Sequence, residues 1–300
     1  MIKSVTDQAM PARVYPYEAP HTAEMIADLS RRAYEYRAQV LRMVYGRKSG
    51  HIGGAFSIAE ILTALYFHQL RLDPANPDWA DRDRLVFSKG HACAMLYTVL
   101  AHRGYFPVSE LPTFRALGSR LQGHPEPHKT PGIEAVAGPL GHGVAIGSGM
   151  ALAARLENSS RRIYAILGDG ELNSGVIWEG LLVGAKYGLS NLTVIVDYNG
   201  VQQTGTTHQV MPTEPIVDKW ASFNWHVIEI HGHSVSEILA ALDLANEIHG
   251  KPVAIIARTT KGKGVSFMEN APAWHGGIPN SEQFDTALAE LEERMNQWKA

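Results

Sequence analysis

Asp169 sits between two glycines, Gly168 and Gly170, directly after the apolar run at 163–167. Asn199 stands thirty residues later, just beyond a second apolar run at 192–196. A carboxylate and an amide oxygen are hard ligands, and if the two runs are neighbouring strands both reach one sheet edge. Such a pair suits Mg²⁺ or Ca²⁺, which take oxygen donors and bridge to phosphate. The flanking glycines permit close backbone approach and positive φ. A helix expected to open near Gly175 turns unpaired N–H groups and its positive dipole end toward an anion. No Gly-Lys-Ser/Thr is present, so no Walker lysine supplies the countercharge. Alone, Gly-Asp-Gly would be an ordinary turn; the second ligand after a second strand points instead to a diphosphate held through a metal. Gly141-His-Gly-Val-Ala-Ile-Gly147 lacks the dinucleotide-binding spacing and a clear preceding strand, which argues against a dinucleotide.

Histidine is the other chemical resource, with 14 in the chain. Most histidines in a protein are surface or satisfied core groups. Four of these, His51, His91, His124 and His275, each adjoin a glycine, an unusual setting for core packing. His21, His68, His102 and His249 lie in helical contexts and receive no role, while His231 and His233 follow a strand and stay open. The single cysteine, Cys93, falls in an apolar helical pattern and reads as a small buried thiol, not a nucleophile.

Five short β-rich runs must carry these residues: 84–88, 163–167, 192–196, 227–230 and 253–257. Most are separated by helical segments such as 176–187 and 236–249. Further helices are expected over 21–46, with Thr22 as cap and Gly46 as stop, over 57–70, with Ser57 as cap, and over 91–103. Nearly continuous apolar strands alternating with helices predict an α/β fold: a mostly parallel sheet with helices on both faces. The polar and glycine-rich motifs fall just after the strands, where open parallel sheets bind ligands. We expect an N-terminal arm over 1–21 containing Pro11, Pro16 and Pro20, one domain over 22–280, and a C-terminal helix of the same domain over 281–300. In that helix Phe284, Leu288, Leu291 and Met295 form one face, read as core packing.

Gly168-Asp-Gly-Glu-Leu through Val196-Asp-Tyr-Asn199 resembles the thiamine diphosphate signature, and the chain as a whole resembles the N-terminal half of transketolases. Ser49-Gly-His51, Ser88-Lys-Gly-His91, Gln122-Gly-His-Pro-Glu126, Gly138-Pro-Leu-Gly141 and Trp274-His275-Gly match that family in order, from about Ala23 to Pro279. The resemblance implies the thiamine-diphosphate-binding fold, with Asp169, Asn199 and the carbonyl of Val201 holding the metal. It implies that Gly168, Gly170, His91 and Lys261 contact the diphosphate, and that Gly138, Pro139 and Leu140 touch the ring region. His51, His91, His124 and His275 would line the substrate funnel, with His51 and His275 nearest the reacting carbons and His124 at the donor's terminal hydroxyl. Transketolases transfer a two-carbon ketol unit from ketose to aldose; the cofactor carries the carbanion chemistry and the protein supplies orientation, proton transfer and oxyanion stabilisation. Full-length family members are roughly twice as long. The resemblance therefore implies a split enzyme: a second, pyrimidine-binding C-terminal subunit completes the site, in an α₂β₂ heterotetramer acting on sugars or sugar phosphates.

Two positions depart from the family. His142 stands where glutamine is common, and Ser174 where many members carry a glutamate of an acidic network thought to couple sites across the dimer. Ser174 puts that coupling in doubt. Rival expectations are the α subunit of a 2-oxo acid dehydrogenase, a deoxyxylulose-phosphate-synthase-like protein, or a non-catalytic diphosphate-binding module. The histidine motifs argue against the first and last of these.

Composition narrows the field without deciding it. The chain has 300 residues, 45% hydrophobic and 19% charged, with a formal net charge of −3. No basic excess points to nucleic acid or an acidic membrane. Nor is there a membrane-length apolar stretch or an N-terminal apolar signal region. One cysteine excludes an internal disulfide framework and suits a reducing compartment, so a cytoplasmic location is expected.

Overall fold

A computed structural model describes residues 21–298. All five expected strands form: β1 (Arg84–Phe87), β2 (Ile163–Gly168), β3 (Leu192–Tyr198), β4 (His226–His231) and β5 (Val253–Arg258). They make one sheet in the order β1-β2-β3-β5-β4, every pair parallel. Among the described residues the helices are α1 (Ala23–Arg47), α2 (Gly53–Phe56), α3 (Ala59–Ala64), α4 (Cys93–Arg103), α5 (Gly143–Leu156), α6 (Gly175–Lys186), α7 (Thr207–Val210), α8 (Ile216–Ser222), α9 (Val235–Glu247) and α10 (Ser281–Asn296). The arm expected before His21 lies outside the described residues.

The central strands β2, β3 and β5 are mostly apolar and buried because both faces of the sheet are covered there, whereas the edge strand β4 carries His226, Glu229 and His231. Alternate residues point to opposite sides. Tyr164, Ile166, Ile195, Val253 and Ile255 pack with α1, α3, α4 and α9 in one core. Ile163, Ala165, Leu167, Val194, Val196 and Ile256 pack with α5, α6 and α8 in the other. Each fully buried aliphatic side chain contributes about 1.5–3 kcal/mol, so both faces hold the strands in register.

The helix ends show where local signals won and lost. Thr22 caps α1 as expected, its Oγ1 accepting from Met25 N at 3.2 Å. The helix runs past Gly46, however, and stops at Lys48, whose φ of +49° is left-handed. Ser49 N–H donates to Val44 O and Lys48 N–H to Tyr45 O, both at 3.3 Å, the paired bonds of a Schellman ending. Ser57 does not cap a helix over 57–70. The helical stretch begins earlier, with α2 ending at Phe56, and 57–70 itself holds α3 and a π turn at Leu65–Gln69. Ser57 Oγ instead donates to Asp197 Oδ2 at 2.7 Å, and Glu60 is buried in a bidentate pair with Arg37 at 2.7 and 2.6 Å. Tertiary partners outbid the capping pattern. In α10, Leu291 is buried and Phe284 and Leu288 lie against the core, with Phe284 stacked on Tyr45 at 4.1 Å. No described helix is long and apolar enough to cross a membrane.

Candidate functional site

The strand order makes β2 and β3 neighbours, with Gly168 opposite Asp197 in register. The chain beyond each strand therefore arrives at one corner of the carboxyl edge. There Asp169 is buried, its Oδ2 accepting from Gly200 N at 2.6 Å and its Oδ1 from Gly170 N at 2.7 Å. Asn199 Oδ1 accepts from Val201 N at 3.1 Å. Both side-chain oxygens are thus gathered around the single turn 199–201, together with the Val201 carbonyl. Burial, then the nearby Asp197, pushes the Asp169 carboxyl up to about 6. A carboxyl raised in this way is short of positive charge, which a divalent ion would supply. A lysine ammonium already sits against this corner: Lys261 Nζ donates to Val201 O at 2.9 Å and Gln202 O at 3.0 Å. The donor set and its charge fit a hard cation.

A second, deeper ion pair supports the corner. Lys89, buried at the end of β1, pairs with Asp197, which also accepts from Ser57, Thr259 and Asn199 Nδ2. Burial works to raise Asp197, but Lys89 outweighs it and holds the carboxyl below its usual range. Glu171, buried on the turn after β2, accepts from Gly168 N at 2.7 Å, Gly141 N at 2.8 Å and Ser88 Oγ. It ties the Gly-Asp-Gly turn to the 138–141 loop and to β1. Gly90 permits the same closure, since a Cβ there would fall 2.2 Å from Ala137 O. Sequence reasoning assigned no role to Lys89, Asp197, Glu171 or Gln202. Polar residues within or just after apolar strands were the available signal.

Three of the four histidines form a triangle. Ring centroids of His51 and His91 lie 5.4 Å apart, His51 and His275 5.3 Å, and His91 and His275 5.1 Å. Lys261 Nζ donates to His275 Nδ1 at 2.9 Å, linking the triangle to the corner formed by Asp169, Asn199 and Val201. A cavity of about 340 Å³ is lined by His91, His124, His275, Gly138, Leu140, Gly168, Asp169, Gly170, Asn199, Val201 and Lys261. His51 stands behind it against the other two rings, and Pro139 is exposed on its rim outside the lining. His124 is exposed, away from the triangle's ring contacts. His142 is also exposed, its ring bonded only to Leu140 O at 3.2 Å, and Ser174 is half-buried beneath Gly141. His233, left open by its motif, has a clear place. It accepts from Thr260 N–H at Nε2 (2.8 Å), so its Nδ1 bears the proton donated to Glu60 (3.0 Å). The Arg37–Glu60–His233 chain thereby fixes the backbone beside Lys261.

Cys93 is fully buried and its thiol is pushed up to about 12, as a structural thiol should be. The imidazoles go the other way. His51 falls to about 4 through burial, Arg115 and His124; His275 falls to about 4 through burial, Lys261 and His51. Both are neutral near pH 7 and can accept or donate a proton. The sign of the linkage is definite: between pH 6.5 and 4 the unfolded chain takes up protons that the folded one does not, so stability falls as pH falls. His51→Gln is expected to lose less stability than the natural chain between pH 7 and 4.5. Urea midpoints at the two pH values test this, and equal acid sensitivity would refute it.

A parallel α/β sheet that concentrates an oxygen-ligand corner, two buried lysines and neutral imidazoles at its carboxyl edge is built for a cofactor with an anionic tail. The family model for the transketolase thiamine diphosphate binding domain matches residues 30–291. Among curated proteins, the chain is 42% identical to a 6-deoxy-6-sulfo-D-fructose transketolase subunit of Clostridium sp., over 90% of this chain and 98% of that one. It is 41% identical to an apulose-4-phosphate transketolase subunit of Phocaeicola vulgatus, over 86% and 92%. The transketolase of Campylobacter jejuni superposes with a TM-score of 0.82 at 32% identity, over 91% of this chain but 46% of that one. The chain therefore belongs to the transketolase family. It is an N-terminal transketolase subunit, spanning under half the length of the solved enzymes and nearly all of the curated subunits.

Proposed function

We propose that this chain acts as the diphosphate-binding half of a heteromeric transketolase, transferring a two-carbon ketol unit from a ketose donor to an aldose acceptor in carbohydrate metabolism. The observation that carries the proposal is the convergence of Asp169, Asn199, Val201 and Lys261 with His91 and His275 on one cavity, the His51 ring packed against both imidazoles. Thiamine diphosphate, when bound, supplies the carbanion chemistry. Asp169, Asn199 and the Val201 carbonyl would hold Mg²⁺ or Ca²⁺. Lys261, His91, Gly168 and Gly170 would face the diphosphate, and Gly138, Pro139 and Leu140 the rings. His51 and His275, neutral at pH 7, would pass protons to and from sugar hydroxyls and donate to a developing alkoxide. His124, exposed at the cavity mouth, would meet the donor's far end.

A C-terminal subunit is needed to cover the rim, where Leu140 and Val136 are exposed at 45% and 59%. We place the two subunits in an α₂β₂ assembly in the cytoplasm, the latter on the strength of the lone buried thiol. The relatives' names, a sulfosugar and apulose 4-phosphate, set the first donors to assay beside pentose phosphates. The chain with thiamine diphosphate and Mg²⁺ is expected to be inert alone and active once the pyrimidine-binding subunit is added. Turnover by this chain alone, at high concentration, would defeat the proposal.

A further inference from the structure

The edge of the sheet opposite the cofactor cavity carries a second cluster of ligand side chains. His21 immediately precedes the cap of α1, His68 lies in the π turn Leu65–Gln69, and Asp243 lies on α9. One ligand atom from each can be chosen so that all lie within 4.8 Å of one another. His21 Nε2 is 2.8 Å from Asp243 Oδ2, and the His21 and His68 rings meet edge-on with centroids 4.8 Å apart. Two contacts fix the position in the fold. Arg162, just before β2, donates to Ala245 O near Asp243 at 2.8 Å, and Gln69, beside His68, donates to the hydroxyl of Tyr164 in β2 at 2.9 Å. Both lie at the start of β2, whereas the cofactor cavity lies beyond its end.

From this geometry we propose that His21, His68 and Asp243 form a binding site for a borderline transition metal ion, with Zn²⁺ as the best-matched ion. Two imidazoles and one carboxylate are the donors zinc prefers, whereas Mg²⁺ and Ca²⁺ favour all-oxygen shells. Zinc bonds of about 2.0–2.2 Å place neighbouring tetrahedral ligand atoms roughly 3.3–3.5 Å apart. The 2.8 Å contact must open slightly and the widest one close by up to about 1.5 Å, a rotamer-sized change at an exposed His68. The backbone near His68 also points to a ligand. Leu70 N–H bonds to Leu65 O at 2.8 Å, a one-residue insertion relative to an α-helical turn. An extra residue turns the following side chains by about 100°, and such turns concentrate at functional sites. Here the turn seats Leu65 and Tyr66 in the core while its exposed His68 lies beside the ligand atoms of His21 and Asp243.

A metal here would be remote from ketol transfer. It would tie the chain entering α1 to α9 and the π turn, and so favour the folded state by linkage. The test is Zn²⁺ titration of the EDTA-treated full-length chain by calorimetry, with thermal unfolding alongside, for the natural protein, His68→Ala and His275→Ala. His68 is exposed, so its truncation leaves the core intact; circular dichroism checks this. His275→Ala accounts for zinc held by the active-site imidazoles. The expected result is a zinc site and a zinc-induced rise in melting temperature that His275→Ala retains, and an affinity at least about tenfold weaker in His68→Ala. Equal zinc affinity and thermal shift in His68→Ala, or no zinc binding at all, would overturn the proposal. So would a zinc-edge anomalous map with no peak among the three side chains.

Discussion

Asp169→Asn is expected to weaken Mg²⁺-dependent binding of thiamine diphosphate by at least about 100-fold, close to 2.7 kcal/mol. The substitution keeps the side chain's size and an acceptor for Gly170 N or Gly200 N, but removes the charge the metal needs. Stability of the cofactor-free chain should move the other way. The native carboxyl is raised to about 6 by burial and by Asp197, so above that pH its ionised form burdens the fold, and an amide relieves the burden. At pH 7.5 the variant should therefore unfold at an equal or higher urea concentration. Lost cofactor affinity with retained stability separates a metal ligand from a merely structural carboxylate. Affinity within threefold of the natural chain, measured with the partner present by calorimetry, would remove Asp169 from the metal site.

The convergence of Asp169 and Asn199 on this corner was legible in the sequence because both follow apolar strands directly, and strands buried on both faces declare themselves as nearly unbroken apolar runs. The residues that brace it were not. Lys89 and Asp197 are 108 positions apart, and Asp197 is the last residue but one of β3, after the mostly apolar run 192–196, so nothing local names its partner. Glu171 sits inside the recognised motif, but its work, accepting from Gly141 across thirty residues, exists only once the 138–141 loop has folded over β2. Ser57 and Glu60 show the converse failure. Their spacing is that of a capping box, yet Asp197 captures the hydroxyl and Arg37 the carboxylate, because a buried charge demands a partner more strongly than a helix end demands a cap. His233 belongs to the same buried network, and the Thr260 N–H that bonds its Nε2 lies 27 residues away along the chain. Motifs reported the groups that would face a ligand; the groups that hold those in place came from tertiary structure.

His275→Ala should give the largest loss of turnover, about 10²–10⁴-fold in kcat with the partner present, while cofactor affinity falls less than about tenfold. The split follows from the contacts. Lys261 would lose its bond to His275 Nδ1 but keep Val201 O and Gln202 O, so its charge stays beside Asp169 and Asn199. That hydrogen bond makes Nδ1 the acceptor, which leaves Nε2 as the bearer of the ring proton in the neutral form. With its pKa pushed down to about 4, the ring is neutral at working pH and its Nε2–H is available as a donor to an alkoxide. His275→Gln retains a hydrogen-bond donor without a titrating ring, and it should restore part of kcat if donation matters and none if proton transfer dominates. Parallel losses of kcat and cofactor affinity in His275→Ala would instead mark the imidazole as a support for Lys261. An unchanged kcat would take it out of the reaction, leaving His51 and His91 to serve the substrate.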